Sequence, residues 1–214
     1  MPMSEKREYR VMTVRVQPDP EDSEKRIVTG YASTFDEPYE LWSGDGWKYL
    51  ETVDKGAFDE TDMSDVIMQY DHQGRVFART RNNTLEVTPD DKGLFIRADL
   101  GGTDIGRELY DEIAGGYTDR MSFGFTVKTE SEDSEKTDEG VRIYTRHIKS
   151  VRKLYDVSAV SLPANEGTSI AAETRSRIDG VNEEVQAERL EAERVELEKR
   201  RLEIRAKVLG GNNS

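Results

Sequence analysis

The stretch RMSFGFTVK (120–128) indicates the fold class, because its apolar residues fall at every second position. In an extended strand the apolar residues from Met121 to Val127 would share one face, while Ser122 and Gly124 would lie on the other. A period of two is typical of a half-buried strand. Similar runs occur on both sides of this stretch: RVMTVRV (10–16), RIVTGYAST (26–34), VIMQYDH (66–72), GLFIRADL (93–100), VRIYTRHI (141–148) and YDVSAVSL (155–162).

Two segments between these runs have helical features instead. GTDIGRELYDEIAGG (102–116) carries apolar residues four positions apart, has Thr103 or Asp104 to cap its start, and ends in glycines. The shorter DKGAFDE (54–60) fits a single turn or a short helix. Because turn clusters rich in Gly, Pro, Asn and Asp separate the strands, the sequence predicts a β-rich α+β domain.

The stretch TESEDSEKTDEG (129–140) is acidic and contains no apolar residue. It lacks the alternation that marks the strands on either side of it. We therefore interpret it as a mobile hairpin loop and a candidate for disorder.

The chain changes character at Thr174. Residues 174–208 contain no Pro and only one Gly, and nine acidic residues balance nine basic ones in 174–214. The apolar residues of this segment do not form clean heptads, so we expect a solvated charged helix, with a partner-binding or weakly coiled-coil helix as the alternative. We divide the chain into a domain over 1–173 and a charged helical tail over 174–214.

Composition excludes several classes of protein. The formal net charge of −13 and the pI of about 4.8 leave no basic footprint for binding nucleic acid. The mean hydropathy is −0.79, and no apolar run approaches the roughly 18 residues that a membrane-spanning helix needs. There is no cysteine, which rules out disulfides and thiolate chemistry, and the N-terminus lacks the apolar core of a secretory signal.

Familiar catalytic and cofactor motifs are also absent. The sequence has no phosphate-binding Walker loop, no dinucleotide glycine fingerprint, no HExxH and no GxSxG elbow. With only two histidines, not at ligand spacing from each other, metal catalysis is poorly supported. We expect neither a metal nor another cofactor.

His72 and Ser122 are candidates for chemistry. His72 is the last residue of the run VIMQYDH, at the end of a predicted strand. Catalytic groups are often displayed at strand ends. The alternative is a structural histidine, which is the more common case at such a position. Ser122 has Gly124 on its face, which leaves space beside the hydroxyl; the alternative is a small polar residue on the outer face of a strand. A serine becomes a useful nucleophile only beside a base.

Asp156 and His147 are candidates for a third member. Asp156 stands at the head of an otherwise apolar strand, where a buried carboxylate needs a partner and could orient a histidine. An exposed turn aspartate is the alternative. His147 falls at an alternate position of a polar strand and is more simply a surface residue.

Six segments, in this order, resemble the caudovirus prohead serine protease family. The resemblance extends from about Thr29 to Ala172. Any one block is common, but six in the same order are specific. The blocks are GYASTFDEPYEL (30–41), ETVDKGAFDET (51–61), YDHQGRVFART (70–80), GLFIRADL (93–100), ELYDEIAGGYTDRMSFGFTV (108–127) and LYDVSAVSLPANEGTSI (154–170).

The resemblance implies roles for individual residues. His72 matches the family's base and Ser122 its nucleophile, while the acidic member falls on Asp156, where many relatives carry Glu. Herpesvirus assemblins, to which the family is related in fold, use a second histidine, which keeps His147 as the minority alternative. The implied fold is a β-barrel flanked by helices.

The resemblance also implies a biological setting. The protease would cleave the scaffold segment of the major capsid protein, and also itself, inside the assembling prohead in the host cytoplasm. The chain would then be a serine endopeptidase that has copies of itself as partners, for self-cleavage and in an oligomer. Its charged tail would serve recruitment and be removed by self-cleavage. The alternative is a catalytically silent scaffold or assembly module. Neither a nucleic acid nor a membrane is expected as a partner.

Overall fold

The computed structural model describes residues 7–15, 17–20, 25–160 and 172–210. These residues form eleven strands and two helices, so the strand-rich α+β class is confirmed. The Pro-Ala-Asn end of the last family-like block (163–165) lies outside the described residues. The elements are β1 (Glu8–Arg15), β2 (Gln17–Pro18), β3 (Ile27–Thr34), β4 (Tyr39–Gly44), β5 (Trp47–Val53), β6 (Ile67–Tyr70), β7 (Gln73–Arg79), β8 (Leu85–Pro89), β9 (Gly93–Asp99), α1 (Asp104–Ala114), β10 (Arg120–Lys136), β11 (Arg142–Val160) and α2 (Ala172–Gly210).

The strands form two sheets. The larger has seven strands, in which the order β1-β10-β11-β5-β4 is joined by β6, paired with β11, and by β7, paired with β6. The smaller has four strands in the order β2-β3-β9-β8. Among the described residues both sheets keep edge strands, whereas a closed barrel has none. The expected closed barrel is therefore not found, and the likeness to assemblins stays a prediction.

The start of β10 supplies the centre of the core with the apolar residues that its alternation predicts. Residues 121–127 are all buried, however, so this part of the strand is covered on both faces and is not half-buried as expected. Met121, Phe123 and Phe125 are fully buried, and the last two rings stack with centroids 4.6 Å apart. Helix α1 adds Leu109 and Ile113 to the same core. Its start is capped by Thr103, whose side-chain oxygen accepts a hydrogen bond from the Gly106 N–H.

The first half of α2 packs on the larger sheet. Ile178, Val181 and Val185 are buried in a second apolar cluster that includes Trp47 and Tyr49. Farther along, the apolar side chains are exposed, so this part of the helix has no core of its own among the described residues. The exposed ones are Leu190, Val195, Leu197, Leu202 and Ile204. The division of the chain at Thr174 stays a prediction.

The acidic stretch 129–140 is not a mobile loop over most of its length. Strand β10 continues to Lys136 and pairs with β11 throughout, leaving only a short turn between the strands. The charges find partners: Glu130 accepts hydrogen bonds from Arg146, and Glu132 accepts one from the hydroxyl of Tyr49. Ion pairing thus replaces apolar alternation as the source of order in this hairpin.

A buried ionic network fastens β1 to the rest of the larger sheet. Arg10 donates to Glu51 at 2.5 and 2.9 Å, and Arg146 donates to Glu51 at 2.7 Å and to Glu8 at 2.8 Å. Burial by itself would raise the pKa of Glu8, but the charges of Arg10 and Arg146 outweigh it and lower this pKa to about 2. Because side chains alternate along a strand, Glu8 and Arg10 leave the other face of β1 to Tyr9.

Candidate active site

His72 lies in the tight turn that joins β6 to β7. Asp71 and His72 are the two turn residues, with φ angles of 47° and 58°, the pattern of a type I′ hairpin. A left-handed backbone is uncommon for residues other than glycine and persists where the surroundings hold it. One such contact is the Asp71 N–H, which donates to the carbonyl of Ala159 at 3.0 Å. The turn is therefore held against the end of β11.

Strand register brings Ser122 and Asp156 to the same place. In the antiparallel pair β10–β11, Gly124 is opposite Asp156 and Ser122 is opposite Ser158, so these four residues share one face. On its other side, the same part of β11 pairs in parallel with β6. The turn after β6 and the Ser122-bearing part of β10 therefore lie on opposite sides of the same part of β11.

His72, Ser122 and Asp156 form a continuous chain of hydrogen bonds. The distance from His72 Nδ1 to Asp156 Oδ2 is 2.5 Å, and that from His72 Nε2 to Ser122 Oγ is also 2.5 Å. With an ionised aspartate, Nδ1–H donates to the carboxylate and Nε2 accepts from the serine hydroxyl. Ser158 Oγ also donates to Asp156 Oδ2, at 3.2 Å. This is the arrangement that a serine nucleophile, a base and an orienting acid require.

His147 is not brought together with these three residues. It lies on β11 nine positions before Asp156, which is roughly 30 Å along an extended strand. Its Nε2 is 2.8 Å from Asp133 Oδ2, and its Nδ1 is 3.6 Å from Asp54 Oδ1. The structure thus gives His147 a pair of surface carboxylates and not the serine.

Arg7, Tyr9 and Ser158 contact the three central residues, and sequence reasoning missed all of them. The rings of Tyr9 and His72 have centroids 4.3 Å apart, and Arg7 Nη1 is 3.5 Å from Asp156 Oδ1. Ser158 is two positions from Asp156, so the period of the strand could have revealed it. For Arg7 and Tyr9 no local signal exists, because they lie more than 60 positions before their partners.

The site is shielded from solvent in this conformation. Ser122 and Asp156 have no exposed surface, and the side chain of His72 is 16% exposed. A peptide therefore reaches the serine hydroxyl only after a local rearrangement. An open cleft of about 630 Å³ lies beside the turn, lined among others by Asp71, Phe77 and Leu109.

Neither a metal-binding cluster nor a membrane-spanning helix is found among the described residues. They contain no group of three His, Asp or Glu side chains placed to hold a metal ion. None of the described helices is both long enough and apolar enough to span a membrane.

Comparison with known proteins identifies the family. The family model described as caudovirus prohead serine protease matches residues 12–183, which include His72, Ser122 and Asp156. No curated protein and no solved structure matches the chain. The matched range covers well over half of the sequence and contains the whole hydrogen-bonded group. The chain therefore belongs to the caudovirus prohead serine protease family, the serine peptidases of tailed-phage capsid maturation.

Proposed function

We propose that this protein is a serine endopeptidase with Ser122 as nucleophile, His72 as general base and Asp156 as the orienting acid. The observation that supports this assignment best is the pair of 2.5 Å contacts that connects Asp156 to His72 and His72 to Ser122. Membership of the prohead protease family supplies the reaction class.

The proposed reaction is acyl transfer. His72 Nε2 takes the hydroxyl proton as Ser122 Oγ attacks the scissile carbonyl, and then returns it to the leaving amine. A water molecule, deprotonated by the same imidazole, next hydrolyses the acyl-serine ester. Asp156 keeps the proton on Nδ1 and stabilises the imidazolium that forms in both steps. No cofactor takes part in this scheme.

The substrates we propose are scaffold and capsid-precursor segments inside the assembling prohead, together with the protease itself. The family supports a role in phage maturation. We assign recruitment to the exposed part of the tail, because its apolar side chains from Leu190 to Ile204 are open to solvent in the part of the chain that the structure describes. Self-cleavage would later remove it.

The test is co-expression of the chain with its capsid or scaffold partner, followed by intact-mass analysis. We expect truncated products with the parent and none with Ser122→Ala or His72→Ala. His147→Ala is the matched control and should cleave like the parent. Equal cleavage by Ser122→Ala and the parent would refute the assignment.

A catalytically silent assembly module is the second candidate. The complete burial of Ser122 favours it, since a buried hydroxyl cannot meet a substrate without rearrangement. A fluorophosphonate probe separates the two: covalent labelling at Ser122, in the presence of the capsid partner, is expected of the enzyme only.

A further inference from the structure

One oxygen of Asp156 is buried and receives no hydrogen bond from the residues that the structure describes. Oδ2 accepts hydrogen bonds from His72 and Ser158, whereas Oδ1 accepts none within this part of the chain. A buried carboxylate oxygen left in this way is costly unless a nearby charge offsets the loss of hydration. Among the described residues, the cation beside Oδ1 is Arg7, whose Nη1 lies 3.5 Å away.

Arg7 is oriented toward that oxygen by two tyrosines. Its guanidinium group lies over the ring of Tyr155, 3.8 Å from the centroid, and its Nη1 donates a hydrogen bond to the hydroxyl of Tyr9 at 3.3 Å. A planar guanidinium held on an aromatic face keeps its direction better than a free surface side chain does. Arg7 is 37% exposed, so its charge is partly screened but still adjacent to a fully buried carboxylate.

Tyr9 can pack beside the histidine–aspartate pair, with its ring against that of His72, because residue 124 is a glycine. Tyr9 is opposite Gly124 in the pairing of β1 with β10. A Cβ at Gly124 would lie 2.8 Å from Tyr9 Cε1 and 2.6 Å from Asp156 Oδ1, so a larger residue could not fit without displacing them. The bare backbone lets the Tyr9 ring pack against the His72 imidazole, and this contact adds to the hydrogen bonds that the imidazole makes with Asp156 and Ser122.

The position of β1 is itself fixed. Glu8 and Arg10, on its opposite face, belong to the buried ionic network with Glu51 and Arg146. Residues that support a catalytic group act best from a rigid element. The network therefore holds Tyr9, and Arg7 just before the strand, in a fixed position relative to the site.

We propose that Arg7 and Tyr9 are positioning residues of the active site: Arg7 balances the buried charge of Asp156, and Tyr9 fixes the orientation of the His72 ring. This proposal rests on the catalytic roles proposed above for the triad. Both residues precede residue 12, where the family match begins, so nothing in that match assigns them a role.

The electrostatic consequence has a definite sign. Among the described residues, the polar groups that contact the His72–Asp156 pair are Arg7, Tyr9 on β1, Ser122 on β10 and Ser158 on β11, with Asp71 next to His72 in the turn. Of these, Arg7 is the cation. Without the Arg7 charge, the negative charge of Asp156 would stabilise the His72 imidazolium more strongly. The neutral imidazole of His72 would then form only at higher pH.

The experiment uses the fact that the chain has only two histidines. The full-length protein carrying Ser122→Ala, which prevents self-cleavage, is titrated by NMR at the imidazole C–H resonances. His147→Gln identifies the second histidine. We expect Arg7→Gln to move the His72 titration midpoint up by about half a pH unit to one unit, and Arg7→Lys to leave it near the parent value.

Activity is measured in parallel with Ser122 restored. Arg7→Gln should move the acid limb of the pH profile of kcat/KM in the same direction as the titration midpoint. Tyr9→Leu should lower kcat about tenfold with little change in KM. Tyr9→Phe keeps the ring and should keep most of kcat. Thermal melting checks that each variant is folded.

The outcomes separate this inference from the proposed function. An unmoved His72 midpoint in a folded Arg7→Gln variant, or a Tyr9→Leu variant that is as active as the parent, overturns the positioning roles. A shifted midpoint in a protein that hydrolyses no peptide overturns the proposed endopeptidase and leaves the electrostatic role of Arg7 standing.

Discussion

His72 Nδ1 lies 2.5 Å from Asp156 Oδ2, although the two residues are 84 positions apart in the sequence. The contact depends on the parallel pairing of β6 with the last part of β11, which sets the turn after β6 beside the aspartate. Ser122 completes the group from the opposite neighbour of β11. The site is thus a product of sheet register.

Replacing the carboxylate of Asp156 should impair catalysis while preserving the fold. Asp156→Asn is expected to lower kcat/KM by roughly 10³-fold or more, because an amide no longer fixes the imidazole tautomer or stabilises the imidazolium. Peptide hydrolysis measured by mass spectrometry gives the rate. Asp133→Asn is the matched control, since Asp133 contacts the other histidine, His147. An equal loss in both variants would contradict a special role for Asp156.

Adding one methyl group at Gly124 should disturb the site. In Gly124→Ala the new Cβ would meet Asp156 Oδ1 at 2.6 Å, so the carboxylate or the strand must shift. We expect at least a tenfold loss of kcat/KM, since small misplacements of catalytic groups carry large costs in rate. Gly180→Ala is the control, because among the described residues no atom lies within 4 Å of its added Cβ apart from its chain neighbours and its own helix backbone. A fully active Gly124→Ala enzyme would show that the close packing is unimportant.

Stability should fall in acid because of the ionic network. The pKa of Glu8 is about 2 in the folded protein, against 4.5 for an unperturbed glutamate, so its contribution to stability is complete above about pH 4.5 and is lost as the pH falls toward 2. The pKa of Glu51 is lowered too: burial raises it, but Arg10 and Arg146 lower it more.

Urea unfolding between about pH 6 and about pH 2.5 measures this dependence. Glu8→Gln should be less stable near neutral pH by about 3 kcal/mol, since the buried Arg10 and Arg146 lose one of the carboxylates that balance their charge, and its stability should depend less steeply on acid. Glu86→Gln, at an exposed strand position, should follow the parent. Identical acid profiles for Glu8→Gln and the parent would argue against the network as the cause.

The two halves of α2 should respond differently to truncated side chains. Ile178→Ala removes a buried side chain from the second apolar cluster and is expected to cost roughly 2–4 kcal/mol of unfolding free energy. Leu197→Ala, 55% exposed, should change it by less than about 0.5 kcal/mol. Denaturant unfolding of the isolated protein gives both values. A comparable loss at Leu197 would mean that the outer half of the helix is already partnered in solution.

Local sequence patterns predicted α1 and six of the eleven strands, namely β1, β3, β6, β9, β10 and β11. They did not predict β2, β4, β5, β7, β8 or the charged part of the long hairpin. Period-two alternation identified β10 because its buried face is continuous from Met121 to Val127. Residues 129–136 lacked that signal, since their strand is held by ion pairs such as the one between Glu130 and Arg146. Pairing between distant charges leaves no trace in a local window.

The site was predictable as individual residues, and its assembly was not. His72, Ser122 and Asp156 each had an ordinary local context, and only the order of the family-like blocks joined them. Their proximity is set by pairings of β11 with two strands that are far from each other in the sequence. Arg7 and Tyr9 depend in addition on β1 crossing to the serine strand, a long-range contact that no local period encodes.

The most direct test of the account is the intact mass of the capsid or scaffold partner after co-expression with the parent chain and with Ser122→Ala. Ser122 is the residue through which every proposed step passes, and its substitution by alanine removes a single oxygen atom from a buried position. The account predicts processed partner with the parent and only full-length partner with Ser122→Ala. The same processed masses in both samples would contradict it.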